Sequence, residues 1–289
     1  MNNTTKGAIT MILSSISMTM MSVMVKFTGE MPLFQQVFFR NLVMAIFAGV
    51  LIYKQNGSYF GYKENRRILF FRSTFGFLGV LASFYATKNL YLGDAQALLK
   101  VSPFVVTILA VLFLNEKITK TRIFTMVLAF IGALIIINPR FNSRLVPSLI
   151  GLSAAFFSGT AYAIISFLSK KDRKESPLTI IFMFAVWSMV YTIPFVFRDF
   201  HIPDIKTLVF LVLIGVFASL GQFLLTTAYS IADASKISIF DYVSLIASAI
   251  FGNLFFGEVL PIQSIIGIFI IIISAYISFI NSREKKIAP

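Results

Sequence analysis

The sequence predicts an all-α, polytopic membrane protein, with ten transmembrane helices arranged as a 5+5 inverted repeat. Three observations predict it. First, 57% of the 289 residues are hydrophobic and only 13% are charged, with a mean hydropathy of +0.86; soluble domains carry about 45–50% apolar and about 25% charged residues. So much apolar surface cannot be hidden in one or two soluble cores, which excludes a soluble enzyme and a disordered or nucleic-acid-coating chain. Second, apolar runs of about 20 residues, long enough to cross about 30 Å of hydrocarbon, recur ten times. Third, the ends of two of these runs match each other about half a chain apart.

In order, the spans are 7–27, 33–53, 69–88, 94–114, 121–137, 146–168, 178–197, 207–228, 235–256 and 262–280. The first follows MNNTTKGAIT, which has one basic residue and no small-residue cleavage site, and reads as an uncleaved helix. Gly29–Glu30–Met31–Pro32 separates the first two spans, Asn138–Pro139–Arg140 the fifth and sixth, Lys170 to Pro177 the sixth and seventh, and Leu260–Pro261 the last two. Each break joins polar residues or glycine to a proline that restricts the residue before it. Span 121–137 is short and starts earlier or lies where the bilayer thins. The ten spans take 206 of the 289 residues and leave 83 for all connections and both tails, so no soluble domain is inserted. Runs such as Val127–Leu128–Ala129–Phe130–Ile131 do not alternate, which excludes barrel strands.

Charge orients the spans. Lys plus Arg number 25 against 12 Asp plus Glu, a formal charge of +13. With the N-terminus inside, the cytoplasmic connections receive Lys6, Lys54, Lys63, Arg66, Arg67, Lys117, Lys120, Lys170, Lys171, Arg173, Lys174, Arg283, Lys285 and Lys286. The outer ones receive only Arg140, Arg144, Arg198 and Lys206. In short loops this asymmetry sets orientation, so both termini are expected in the cytoplasm of a multi-pass protein of the cell (plasma or inner) membrane. Cysteine is absent, which removes disulfides, thiolate metal sites and cysteine nucleophiles.

Spans four and nine end alike: Val111–Leu112–Phe113–Leu114–Asn115–Glu116 matches Asn253–Leu254–Phe255–Phe256–Gly257–Glu258. Upstream, Asp94–Ala95–Gln96–Ala97–Leu98 resembles Asp233–Ala234–Ser235–Lys236–Ile237, and Gly132 recurs as Ser274. Five spans per half is an odd number, so the second half enters the membrane from the opposite side, the symmetry on which many alternating-access carriers are built.

These features carry a family resemblance. Phe38–Phe39–Arg40–Asn41, Phe71–Arg72–Ser73 with Gly76, Gly79 and Phe84–Tyr85–Ala86, and Gly93–Asp94–Ala95 through Ser102–Pro103–Phe104 to Glu116 stand in order in the first half. Ala228–Tyr229, Asp233–Ala234, Tyr242 and Phe256–Gly257–Glu258 follow in the second. The chain resembles the drug/metabolite transporter superfamily, the ten-helix EamA-type permeases, over nearly its whole length. It departs at Thr125, which stands opposite Gly267. The resemblance implies two EamA-like repeats, 1–140 with five helices and 141–289 with five, and a secondary carrier of small organic metabolites such as amino acids.

Charged residues inside the hydrocarbon are costly and therefore informative, about 2.5–3.5 kcal/mol each at a helix centre. At 1.5 Å per residue, Lys100 lies about 9 Å and Arg40 about 10 Å inward from the outer surface, and Asp241 about 9 Å from the inner one. That geometry expects Arg40 and Lys100 to offer positive charge to a carboxylate or phosphate, and Asp241 to meet a solute amine or a proton. Snorkelling of the basic side chains is the plainer alternative. A depth difference of about 12 Å argues against a direct Lys100–Asp241 pair unless a helix is broken or strongly tilted. Pro103 frees a carbonyl about one turn earlier, allowing either a discontinuous helix or a kink.

Other candidates are weaker. Tyr85, Tyr162, Trp187, Tyr229 and Tyr242 are the polar-edged aromatics placed on the pathway; Trp187, mid-span, could stack on a planar or cationic solute or simply pack. Glu116 and Glu258 read as structural anchors for the N-termini of the fifth and tenth helices, Arg72 as a snorkelling or gating residue about 5 Å deep, and Lys26 and Lys88 as interfacial. Gly151, Ser153, Ala154, Ala155, Ser158, Gly159 and Ala163 form a close-packing face, and His201 is a loop residue. No zincin, nucleophile-elbow or Walker pattern occurs, so the chain is not expected to be an enzyme, with no cofactor and no metal. A membrane-embedded enzyme and a scaffold or sensor are the alternatives weighed against the carrier. The expected partners are the lipid bilayer and a small organic solute, not nucleic acid. Energy comes from the solute gradient or a coupled ion, the proton being the cheaper assumption, and a homodimer stays open.

Overall fold

The computed structural model describes residues 3–102, 104–105, 108–109, 120–137, 144–169, 173, 175–231 and 238–284. Among them the chain forms ten α-helices: α1 Asn3–Phe27, α2 Leu33–Lys54, α3 Arg66–Asn89, α4 Leu92–Leu99, α5 Lys120–Ile137, α6 Leu145–Ser169, α7 Pro177–Arg198, α8 Ile205–Ile231, α9 Val243–Phe256 and α10 Ile262–Glu284. Short 3-10 turns at Lys63–Asn65 and Ser238–Tyr242 precede α3 and α9.

The ends follow local chemistry. Pro177 occupies the first turn of α7, where its missing N–H has no helical partner to lose. Asp204 accepts the Thr207 N–H at 3.0 Å ahead of α8. Hydrogen bonding from Thr207 holds this exposed carboxyl below the ordinary carboxylate range. Gly257, with φ +61°, takes the left-handed turn that ends α9.

Six helical spans are long and apolar enough to cross a membrane: Thr5–Phe27, Leu33–Lys54, Lys63–Asn89, Leu145–Ile165, Pro177–Arg198 and Ile205–Ala228. Ile123–Ile136, Phe240–Phe256 and Ile262–Ile277 are shorter apolar helices. The protein is thus an all-α, multi-pass membrane protein. The expected continuous span 94–114 is corrected: α4 stops at Leu99, because Lys100 and Val101 form a turn closed by bonds to Ala97 and Leu98. Span 235–256 likewise begins, among its described residues, as a 3-10 turn and becomes α-helical only at Val243.

The bundle exposes large apolar side chains on its outside and buries polar ones among its apolar core clusters. Leu254, Phe269, Ile46 and Ile250 are exposed, whereas Ser14, Ser15, Thr19, Gln36 and Asn41 are buried. α1 packs along α8, α3 along α6, α2 against α7 and α8, α5 against α10, and α4 against α9 and α6. Between lipid-soluble helices, small residues and hydrogen bonds supply the association. Ser14 and Ser17 of α1 donate to the Gly221 and Phe217 carbonyls of α8 at 2.7 and 2.9 Å. Gly79 of α3 faces Ser158 of α6, part of the small-residue face anticipated there. At the α5–α10 crossing, a Cβ on Gly267 would stand 2.6 Å from the Gly132 carbonyl. The departure at Thr125 leaves that crossing tight, because Ser274 donates to the Thr125 carbonyl at 2.5 Å.

Connections sort to two ends. At one end Lys88 reaches the Met31 carbonyl, Arg144 bonds the Tyr91 hydroxyl, and Gln35 grips the His201 backbone through both its amide atoms. At the other, Glu175 accepts from the Tyr62 N–H and the Asn65 amide, while Thr179 bonds the Ser58 carbonyl.

Candidate functional site

The two interrupted helices meet at their interruptions. Lys100 Nζ lies 2.5 Å from Asp241 Oδ2. The argument from depth against this pair is therefore corrected. It assumed unbroken helices, and here Lys100 follows the last residue of α4 while Asp241 lies in the 3-10 turn before α9. The Tyr242 hydroxyl donates to the Lys100 carbonyl at 3.4 Å, an oxygen made available by the break. Ser15 of α1 donates to Asp241 Oδ1 at 2.8 Å, and Ser244 to the Asp241 carbonyl at 2.8 Å. The aspartate is thus held on three sides, yet its side chain keeps 25% of its surface open, against 10% for Lys100. An intramembrane ion pair with an open carboxylate is the type of site that carriers use for charged solutes and protons.

Tyr162 lies on α6, which packs against α3 and α4. It packs against the cluster of Met11, Leu225 and Ala228, as Phe240 does, yet is only partly covered. Arg40 and Arg72 are each only 2% exposed. Their guanidinium carbons stand over the Phe184 ring at 5.4 and 4.3 Å. The snorkelling reading of Arg72 is corrected: α3 begins at Arg66, deeper into the preceding loop than span 69–88 assumed, and Arg72 shares a helix face with Gly76, which abuts Phe184. A residue on that face points into the bundle rather than to lipid.

The remaining expectations fall elsewhere. Trp187 stacks edge-on to Phe70 at 4.9 Å and leans on Tyr191 at 6.1 Å, in a cluster with Leu69, Leu168, Ile180 and Met183. Tyr85 is half-buried on α3. Glu258 pairs with Lys26 and accepts the Leu92 N–H at 2.7 Å. It therefore caps α4, correcting its assignment to the tenth helix, because the turn after α9 lies over the start of α4. Lys26 is accordingly a partner of Glu258 and not a free interfacial lysine. Pro103, Glu116 and the side chain of Tyr229 lie outside the described residues. Among the described residues no three of His, Cys, Asp and Glu gather as a metal cluster. A groove of about 380 Å³ lined by Tyr242, Val243, Ile246, Ile272, Ile273 and Tyr276 is apolar throughout and suits a lipid chain better than a charged solute.

Missed at the sequence level were Ser15 and Phe184. Neither stands out among many serines and 33 phenylalanines. The one legible cue was the spacing Arg72–Gly76–Gly79, which puts a charge on a packing face.

A polytopic helical bundle holding an ion pair where two helices break, and two buried arginines around one phenylalanine ring, fits a membrane carrier. The chain belongs to the EamA-like transporter family, whose model matches residues 5–138 and 149–280. It is a secondary transporter of small organic solutes. It is 29% identical to the pseudopaline exporter CntI of Pseudomonas aeruginosa over 97% of both chains. It is also 29% identical to an S-adenosylmethionine uptake transporter of Rickettsia bellii over 96% of this chain and 94% of that one. A riboflavin transporter of Vibrio cholerae is 34% identical over 66% of this chain and 62% of its own. A solved structure superposes with a TM-score of 0.69 at 12% identity, covering 98% of this chain and 99% of that one, a likeness that speaks to the fold alone.

Proposed function

We propose that this protein moves an amino-acid-like or related charged metabolite across the cell membrane by alternating access, the solute passing between repeats 1–140 and 141–289. The observation that carries the reading is the Lys100–Asp241 pair, formed where the spans 94–114 and 235–256, matched in the proposed repeat, are each interrupted by a non-α turn. Exchanging helix n for helix n+5 also supports the inverted repeat. It turns the α1–α8 contact into α6–α3 and leaves α2–α7 and α5–α10 mapped on themselves. The Gly132–Gly267 approach becomes the Ser274–Thr125 contact under the same exchange.

In the proposed cycle Asp241 exchanges Lys100 for a solute amine or a proton, and Tyr162, Tyr242 and Arg40 line the passage with Tyr85, Tyr229 and Trp187 further along it. Relatives named for export and for uptake leave both directions available to this scaffold. A metabolite panel scored by thermal stabilisation of the detergent-purified protein identifies the solute by mass action. That compound is expected to enter proteoliposomes only when the protein is present. Chemical conversion without movement would instead favour a membrane-embedded enzyme.

The basic-residue asymmetry supports an orientation with both termini in the cytoplasm. Since the chain has no native cysteine, Ser169→Cys is the sole thiol of its variant. It is expected to resist membrane-impermeant maleimide in intact cells and to react in inverted vesicles; labelling from outside would reverse the orientation.

A further inference from the structure

Resting on the reading that solute passes beside Lys100 and Asp241, we propose that Arg40 and Arg72, gathered around the Phe184 ring, form a subsite for an oxyanion group of the solute. The transported compound is then an organic acid or an amphoteric metabolite bearing a carboxylate or phosphate.

Three observations carry the assignment. Arg40 and Arg72 are each only 2% exposed, and a buried cation is retained at a cost unless something pairs with it. Among the described residues, Arg40 Nε and Arg72 Nε and Nη1 have no hydrogen-bond partner. The one side-chain bond that either makes among the described residues is from Arg40 Nη1 to the neutral Asn41 amide oxygen at 2.9 Å. Neither forms a carboxylate pair among the described residues, so donors in a fork geometry that fits oxyanions stand ready. Lys100, by contrast, is neutralised by Asp241 in this structure.

The surroundings fit this role. Phe184 faces both arginines and offers its ring to their charge. The ring can sit there because Gly76 lacks a Cβ, which would stand 2.9 Å from Phe184 Cε2. A solute with its anionic group at the arginines is then expected to present any cationic group to Asp241, whose side chain keeps 25% of its surface open.

The test has a ligand-free and a ligand arm on full-length protein in detergent. Without added solute, Arg40→Met and Arg72→Met are expected to melt no lower than wild type, because each removes an unpaired buried charge while keeping an apolar stem. Drops of about 5 °C or more in both would make the arginines structural and overturn the proposal. With L-glutamate, citrate or inorganic phosphate at matched ionic strength, wild type is expected to melt about 2 °C or more higher with at least one of them. That shift vanishes in both Met variants and weakens in Arg72→Lys, which keeps the charge but not the fork. A response to the carboxylates alone, or to phosphate alone, names the oxyanion. No response to any of the three, or one that persists in the Met variants, sinks the subsite.

Asp241→Asn separates this from the underlying reading. If it retains the anion response and transports normally, the subsite stands and the ion-pair pathway fails. If it loses transport while wild type shows no anion response, the pathway stands and the subsite fails.

Discussion

Lys100→Met is expected to melt about 5–10 °C below wild type, and Asp241→Asn nearly as far, while the double variant recovers most of the loss and transports nothing. Removing one member of a buried ion pair leaves the other without compensation, a change worth about 3–5 kcal/mol in fully buried cases. Here Asp241 keeps a quarter of its surface open, so water screens it and the loss sits near the lower end of that range. For chains of this size one kcal/mol moves the midpoint by about 2–4 °C. Asp241→Asn is the milder of the two, since its amide oxygen can still accept from Ser15. Deleting both charges removes the imbalance along with the attraction, and such replacements are often neutral. Transport follows a different logic: a proposed exchange site needs its charge, so restored stability does not restore movement of solute. Midpoints of the four proteins together with proteoliposome uptake check both halves. A double variant that folds and still transports would reduce the pair to scaffolding.

The apolar spans were legible because membrane crossing imposes a length of about 20 residues, and no packing detail alters that. Hence α1, α2, α3, α6, α7 and α8 fall close to their expected bounds. Depth was legible only as far as helices run unbroken. At Lys100 the fixed rise per residue ceases to apply, and two groups expected about 12 Å apart in depth stand 2.5 Å apart. Pro103 hinted at the interruption, but nothing in the pattern of apolar residues says that the partner helix is interrupted at the matching place. Long-range partners were illegible for a related reason. Glu258 caps α4 and pairs with Lys26, contacts set by how distant helices stack, whereas helix-end reasoning supplies only the nearest N-terminus in sequence. Arg72 was misread by three residues of helix boundary, since adding one turn at the start of α3 carries it from the interface into the bundle.

Glu258→Ala carries the other large expected effect. One carboxylate oxygen pairs with Lys26 and the other takes the Leu92 N–H, so a single side chain ties α1, the start of α4 and the turn between α9 and α10. Both charges are nearly covered, and losing the carboxylate strands Lys26 and uncaps α4 together, for an expected loss of about 3–5 kcal/mol. Glu258→Gln keeps an acceptor for Leu92 and should lose less, and adding Lys26→Met to it should return part of the difference. In the alternating-access reading this tie closes one end of the passage, which gives a readout beyond stability. Ser22 lies one turn before Lys26 on α1, buried and bonded to Gln96 of α4. As a sole cysteine it is expected to react about tenfold faster with maleimide in the Glu258→Gln background, the change that loosening a closed state by about 1.4 kcal/mol produces. Equal labelling rates beside a lowered melting point would show that the tie braces the bundle without gating it.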